Sequence, residues 1–274
     1  MEGLTKKYHN FFIFFVDVNF VSSLFDGLSI SSVSVFTPRP LFTVNNFCYF
    51  VVNIIESNIM GRIKAVVFDM DGTLVNSLQD LADSANAAVA EQGFPVHSME
   101  EVRQFVGDGV RMLIKRSLPA TASDAVVDSC LSRFREIYEV NKLNHTGPYE
   151  GMLPLLDSLR AKGILTGVLS NKYDLAVKQI SSRLFPGKLD LAVGESSSIP
   201  RKPNPAGLEF SLHTLGVSAS EALYVGDSDV DMLTASNAGV ESVGVLWGFR
   251  SKQVLLGAGA CHIVNEPSEI LQLV

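Results

Sequence analysis

The sequence predicts an α/β protein: a doubly wound parallel sheet with a small all-helical unit inserted after its first strand. Three observations predict it. From Gly147 to the C-terminus, short apolar runs alternate with helical periods, the pattern of parallel strands joined by right-handed crossovers. Between about 78 and 146 only helical periods occur. Polar and charged residues gather just after the strand-like runs, where open α/β sheets bind their ligands.

The first strand is Ala65–Phe68, a four-residue apolar run with two valines, as expected of a short buried strand. It ends in Asp69-Met70-Asp71-Gly72-Thr73. Two carboxylates so close repel and desolvate badly unless a cation joins them, which points to a functional site. Phosphoryl transfer suits the pair. One carboxylate can attack phosphorus, and the other can protonate the leaving oxygen and then deprotonate water. In a continuing strand the two would face opposite ways. Gly72 implies a turn there, so both can converge on one ligand. The alternative is a solvated strand-end turn, where Asp and Gly are common.

After Ser77, Leu78–Gly93 carries Leu81, Ala85, Ala88 and Val89 at helical steps, with Gly93 as a stop. Ser98-Met-Glu-Glu101 reads as a capping box opening a helix to Phe105. Gly107-Asp108-Gly109 breaks it, and Val110–Leu118 resumes. Ser123–Val140 is amphipathic, with Val126, Val127, Leu131, Phe134 and Ile137 on one face. The rest alternates. Helix Leu153–Lys162 precedes strand Ile164–Leu169, and a further helix leads to strand Leu189–Val193. Helix Ala206–Leu215 then precedes strand Ala222–Val225, and a helix near Met232–Ala238 precedes strand Ser242–Leu246.

Three more constellations sit at predicted strand ends. Ser170-Asn171-Lys172 offers a hydroxyl beside helix-start amides, a ready phosphate site; an ordinary N-cap by Ser170 is the alternative. Arg201-Lys202-Pro203-Asn204-Pro205 is a proline-stiffened loop that can hold one ammonium against a transferring phosphoryl group, or is simply a solvated basic loop. Gly226-Asp227-Ser228-Asp229-Val230-Asp231 lacks calcium-loop spacing and, with Asp69, better suits Mg²⁺. Asp227 is its best ligand. Asp231 is placed to orient a water or Lys202, or to join the metal set, and Asp229 is expected to face solvent.

Composition narrows the function. The 274 residues allow one large domain or a core plus an insert, and 47% hydrophobic residues supply a core. A net charge of −7 argues against nucleic acid, which is bound by Lys and Arg neutralising phosphates. Cys48, Cys130 and Cys261 are odd in number and show no disulfide or metal spacing, so a reducing, cytoplasmic setting is expected. The five scattered histidines and the absence of a P-loop or GxGxxG string leave no triad and no nucleotide fingerprint.

Residues 1–59 differ from the rest, with ten of the seventeen phenylalanines. Lys6 and Lys7 precede an apolar run that Asp17 and Asn19 interrupt without a cleavage signal. Pro40–Ile55 is uncharged but sixteen residues long and dotted with asparagine, a poor membrane span. The segment is expected to lie outside the fold, as an extension that an upstream start codon would produce. Met60 to Ser77 with 147–274 then form the core, and 78–146 the cap.

Asp69-Met-Asp71-Gly72-Thr73, Ser170, Lys202 and Gly226-Asp227 with Asp231, in that order, resemble the four motifs of the haloacid dehalogenase superfamily over about residues 60–274. Asp71-Gly-Thr-Leu-Val-Asn-Ser77, Phe105-Val-Gly-Asp-Gly-Val-Arg111 and Gly244-Val-Leu-Trp-Gly-Phe-Arg250 resemble its phosphoglycolate phosphatase branch, although Asn76 stands where that branch often has Asp. The resemblance implies a Rossmann-like core and a Mg²⁺-dependent hydrolase of a small phosphorylated metabolite. It makes Asp69 the nucleophile and Asp71 the general acid/base. Ser170 and Lys202 would hold the phosphoryl group, with Gly72, Thr73, Asn171 and Lys172 lining it. Metal would sit on Asp69, the main-chain oxygen of Asp71, and Asp227. Arg111 in the cap is either a partner for a substrate carboxylate or a solvated helix arginine. A sugar phosphomutase shares these core residues; a catalytically dead binding module would be expected to lose Asp69 or Asp71. Lys115 carries no sign of the Schiff-base lysine of phosphonate hydrolases, and Asp71 argues against the metal-free dehalogenases.

Overall fold

The computed structural model describes residues 63–274, so the readings of 1–59 lie outside it. The expected doubly wound sheet is present. Its strands are β1 (Ala65–Phe68), β4 (Leu165–Tyr173), β5 (Leu191–Glu195), β6 (Ala222–Gly226), β7 (Glu241–Val245) and β8 (His262–Val264). All neighbours are parallel, in the order β5-β4-β1-β6-β7-β8. β1 shows why its sequence is continuously apolar. Val66 and Phe68 pack into the cluster with Leu156, Val168 and Leu223, whereas Ala65 and Val67 pack into the opposite one with Leu208, Leu212 and Tyr224. Side chains alternate across a strand, and here both faces are covered. The chain leaves β1 toward β4 and leaves β6 toward β7, which opens a crevice between the ends of β1 and β6.

Five helices flank this sheet: α5 (Met152–Ala161), α6 (Asp174–Leu184), α7 (Ala206–Leu215), α8 (Asp229–Ala238) and α9 (Lys252–Gly257). Between β1 and β4 lie four more: α1 (Leu78–Glu91), α2 (Met99–Phe105), α3 (Val110–Arg116) and α4 (Asp124–Asn141). They enclose their own core, with Leu81, Ala85 and Val89 of α1 against Val102, Leu113, Ile114, Val127, Phe134 and Tyr138. The Ser98 capping box forms as its sequence requires, with Ser98 N donating to Glu101 Oε2 at 2.8 Å. Both ends of this four-helix insert are pinned. The two-residue strands β2 (Val75–Asn76) and β3 (Gly147–Pro148) pair antiparallel. Buried Asp80 accepts from His145 N at 3.0 Å, Thr146 N at 2.8 Å and Thr146 Oγ1 at 2.7 Å.

The structure differs from the sequence reading in four places. β4 continues to Tyr173, with a register irregularity between Ser170 and Tyr173, so Ser170 lies in the strand and starts no helix. The helix begins at Asp174, and Ser170 Oγ instead accepts from Lys172 N at 3.2 Å. α8 starts at Asp229, three residues early, because Ser228 caps it. β8 and the β2–β3 pair, at two or three residues each, are too short to show a period of two. Among the described residues, no helix is long and apolar enough to cross a membrane.

Candidate active site

The β1–β6 crevice gathers side chains from four distant parts of the chain. Asp69, one residue past β1, is buried, and its Oδ1 accepts from Lys202 Nζ at 2.7 Å. The same ammonium donates to Asp231 Oδ1 at 2.7 Å and to the Tyr224 hydroxyl at 3.1 Å. Its loop is positioned by Asn171, whose Oδ1 accepts from Lys202 N at 2.7 Å. Asp231 stands at the third position of α8. Its Oδ2 takes up Ser228 N and Oγ in a capping box, at 3.1 and 2.6 Å. One oxygen therefore caps the helix while the other holds the lysine.

Asp227 follows β6 and is 1% exposed. Its Oδ1 accepts from Thr73 Oγ1 at 3.3 Å and its Oδ2 from Phe249 N at 2.7 Å. The approach depends on two glycines. A Cβ on Gly72 would fall 2.3 Å from Asp227 Oδ2, and one on Gly248 2.2 Å from Asp227 Cβ. Gly72 also has φ +89, outside the range of other residues.

Oxygens of Asp69, Asp227 and Asp231 lie within 4.8 Å of one another. Burial, working against Lys202 and aided by Asp231, lifts the Asp69 carboxyl to about 7. Burial, then Asp231 and Asp69, pushes Asp227 well above the carboxylate range. Burial alone would lower the pKa of Lys202, but Asp231 and Asp69 outweigh it and keep the ammonium charged. With Asp71 and Lys172 included, four carboxylates face two ammonium groups. The excess of two negative charges and the all-oxygen donor set fit a divalent cation. Asp69, Asp227 and Asp231 each offer an oxygen to such an ion; Asp231 is the most committed elsewhere, its Oδ1 accepting from Lys202 and Tyr224 and its Oδ2 from Ser228 N and Oγ.

Asp71 has partners of its own. Ser77 Oγ donates to its Oδ1 at 2.6 Å, and Lys172 Nζ stands 3.0 Å from its Oδ2. Lys172, 3% exposed, also donates to the hydroxyl of Tyr138 on α4 at 2.7 Å. Ser170 lines the cleft beside Asn171, whose Nδ2 reaches the Gly107 carbonyl at 3.3 Å. The apolar wall is Leu81, Val106, Val110, Leu113 and Phe249.

Three predicted residues do not line the cleft: Gly72 and the fully buried Thr73 pack against Asp227 instead, and Arg111 is held elsewhere. Asp128 and, at 3.5 Å, Asp124 of α4 hold its guanidinium on the outside of the cap. Val110 and Leu113 of the same helix take the face toward the cleft, leaving Arg111 the other. Asp229 is 47% exposed in its side chain, as expected. Tyr224 and Tyr138 escaped the sequence reading, although a tyrosine in a buried apolar stretch needs a partner for its hydroxyl.

A parallel α/β core whose strand-end cluster of acids and lysine lies under a helical insert defines a capped α/β enzyme. Residues 66–245 match the haloacid dehalogenase-like hydrolase family, and the chain belongs to it. A phosphoglycolate phosphatase of Rhodospirillum rubrum is 36% identical over 211 residues, covering 74% of this chain and 87% of that protein. One from Vibrio parahaemolyticus is 33% identical over 221 residues, covering 77% and 96%. A crystal structure from Lactobacillus delbrueckii subsp. bulgaricus, provisionally described as a phosphoglycolate phosphatase, is 32% identical with a TM-score of 0.73, covering 77% and 98%. Within the family the chain falls in this phosphoglycolate phosphatase-like branch.

Proposed function

We infer that this chain is a Mg²⁺-dependent phosphatase that hydrolyses a small phosphomonoester through an aspartyl-phosphate, with phosphoglycolate as the leading substrate. The observation that carries it is the buried strand-end cluster, in which Asp69 is paired with Lys202 while Asp71 is held separately by Ser77 and Lys172. Phosphoglycolate is favoured by the names of the relatives.

Asp69 attacks phosphorus. The new P–O bond forms as the bond to the leaving oxygen breaks, and Asp71 donates its proton to that oxygen. Asp71, now ionised, takes a proton from water, whose oxygen attacks the aspartyl-phosphate and releases phosphate with Asp69 restored. Ser170 Oγ and Lys202 Nζ hold the phosphoryl oxygens through both steps. Lys172 and Ser77 fix Asp71 so that its proton is delivered on one side only. Asp69, Asp227 and the main-chain oxygen of Asp71 would hold Mg²⁺, which would supply the charge neutralisation that lets a carboxylate approach a phosphate dianion. The cytoplasmic setting belongs to the same proposal, in keeping with Cys130 and Cys261, both free among the described residues.

The test is phosphate release by the full chain with MgCl₂ from phosphoglycolate, sugar phosphates and pyrophosphate. We expect turnover without a sugar bisphosphate primer, which separates the enzyme from a mutase. Asp69→Asn should lower kcat by at least about a thousandfold. Release that survives in that variant would sink the mechanism.

A further inference from the structure

Two sequence motifs, one from the cap and one from the core, meet in the structure. One is the cap turn after α2, Val106-Gly107-Asp108-Gly109; the other is the loop after β7, Trp247-Gly248-Phe249-Arg250. Arg250, with 14% of its side chain exposed, donates from Nη1 to the Arg103 carbonyl at 3.0 Å and from Nη2 to the Val106 carbonyl at 2.5 Å. These are carbonyls at the C-terminal end of α2, which a guanidinium satisfies well. Gly107 lets the turn come close, since a Cβ there would lie 3.3 Å from Arg250 Nη2.

The same turn is gripped from within the cap by Arg116, which donates to the Phe105 carbonyl at 2.8 Å and pairs with Asp108. The two arginines differ in one respect. Arg116 and its partners all belong to the insert, so their contact survives any movement of the cap. Arg250 comes from the core, so its contact exists only while the cap is shut. The neighbours of Arg250 reach the chemistry: Phe249 N holds Asp227, Phe249's ring packs into the cap core, and Trp247 Nε1 donates to the Thr73 carbonyl at 3.0 Å.

We propose that Arg250 is a positioning residue specific to the closed state, clamping the cap turn 103–107 over the cleft from the loop that also holds Asp227. It does no chemistry. It sets the fraction of molecules in which the walls Val106 and Val110 exclude water from the reacting groups. This role rests on the proposed function, but its closure component is read without any substrate.

The experiment compares full-length wild type, Arg250→Ala, Arg250→Lys and Arg116→Ala by amide hydrogen exchange and by phosphoglycolate hydrolysis with MgCl₂. Arg250→Ala should speed exchange in 103–109 by about tenfold or more, with α4 and the sheet unchanged, and lower kcat/KM by a similar factor. Arg250→Lys, which keeps a cationic donor, should recover part of both. Arg116→Ala should also lower thermal stability, because it loosens the cap itself. Unchanged exchange and kcat/KM in Arg250→Ala would overturn the proposal, as would a rise in exchange spread evenly over cap and core. If Arg250→Ala does not fold, Arg250→Lys against wild type carries the same two outcomes at smaller amplitude. Wild type inert on every phosphomonoester would reject the phosphatase reading, while the exchange comparison would still decide whether Arg250 holds the cap.

Discussion

The cleft floor and the cap that faces it are built from opposite materials. The floor is a charge network of Asp69, Asp227, Asp231 and Lys202, all 7% exposed or less. The cap brings apolar side chains, a tyrosine hydroxyl and backbone carbonyls, and its cationic residue once expected at the substrate is tied to its outer surface. Charges that must lie within 3 Å of a reacting centre need a rigid frame, and strand ends in a buried sheet supply one. The cap is held to that frame by Arg250 on its backbone carbonyls, by Lys172 on the Tyr138 hydroxyl, by the Tyr173 hydroxyl on Glu139 and by the packing of Phe249. Chemistry resides in the floor and admission in the cap.

Removing Lys202 should break this division hardest. Lys202→Ala leaves Asp69 and Asp231 facing each other without a cation, and in metal-free protein should cost about 3–5 kcal/mol in urea unfolding. A loss below about 1 kcal/mol would mean that the network is far better solvated than its burial indicates. At the foot of the cap, Asp80→Ala should cost about 2–3 kcal/mol, because it strands the buried N–H and hydroxyl of Thr146 and removes the acceptor of His145 N. If the melting point barely moves, the return segment is held by the β2–β3 pair alone.

Metal sharpens the picture through pH. Burial raises Asp69 to about 7, whereas a carboxylate in the unfolded chain titrates near ~4. Metal-free folded protein therefore binds a proton between these values that the unfolded chain does not. That contribution to stability is complete below ~4 and is lost as pH rises through about 7. Mg²⁺ competes for the same oxygens, so a fixed dose should raise the melting temperature more near ~8 than near ~5. An equal shift at both pH values would place the ion elsewhere. The smallest effect belongs to Arg111→Ala: KM should not change, since the exposed pairs to Asp128 and Asp124 do not reach the cleft. A raised KM would return that arginine to the substrate.

Legibility in the sequence follows the same boundary. Asp69, Ser170 and Asp227 were readable because each stands where a predicted apolar strand meets polar residues, and such positions converge in any open parallel sheet. Lys202 was readable from its proline-flanked loop and Asp231 as a residue placed to orient a water or Lys202, whereas its partner Tyr224 became visible only in the folded sheet. Ser170 was given the wrong local role, because an irregularity in β4 carries the strand three residues past it. For Arg111 the sequence left two readings, substrate partner or solvated helix arginine, because one helix has two polar-compatible faces and only the position of α4 selects between them. Arg250 lay inside a recognisable motif, yet its partners are carbonyls, which carry no side-chain signal.

The alternation of strand and helix periods by itself determined the parallel core, the helical insert and the strand-end placement of Asp69, Ser170 and Asp227, because these depend on local periodicity and on one general property of wound sheets. Tertiary structure alone decided which carboxylate pairs with which lysine, which way Arg111 turns, and how the loop after β7 grips the cap. Those outcomes depend on distances between segments as much as 174 residues apart, such as Thr73 and Trp247, and no local pattern of side chains encodes them.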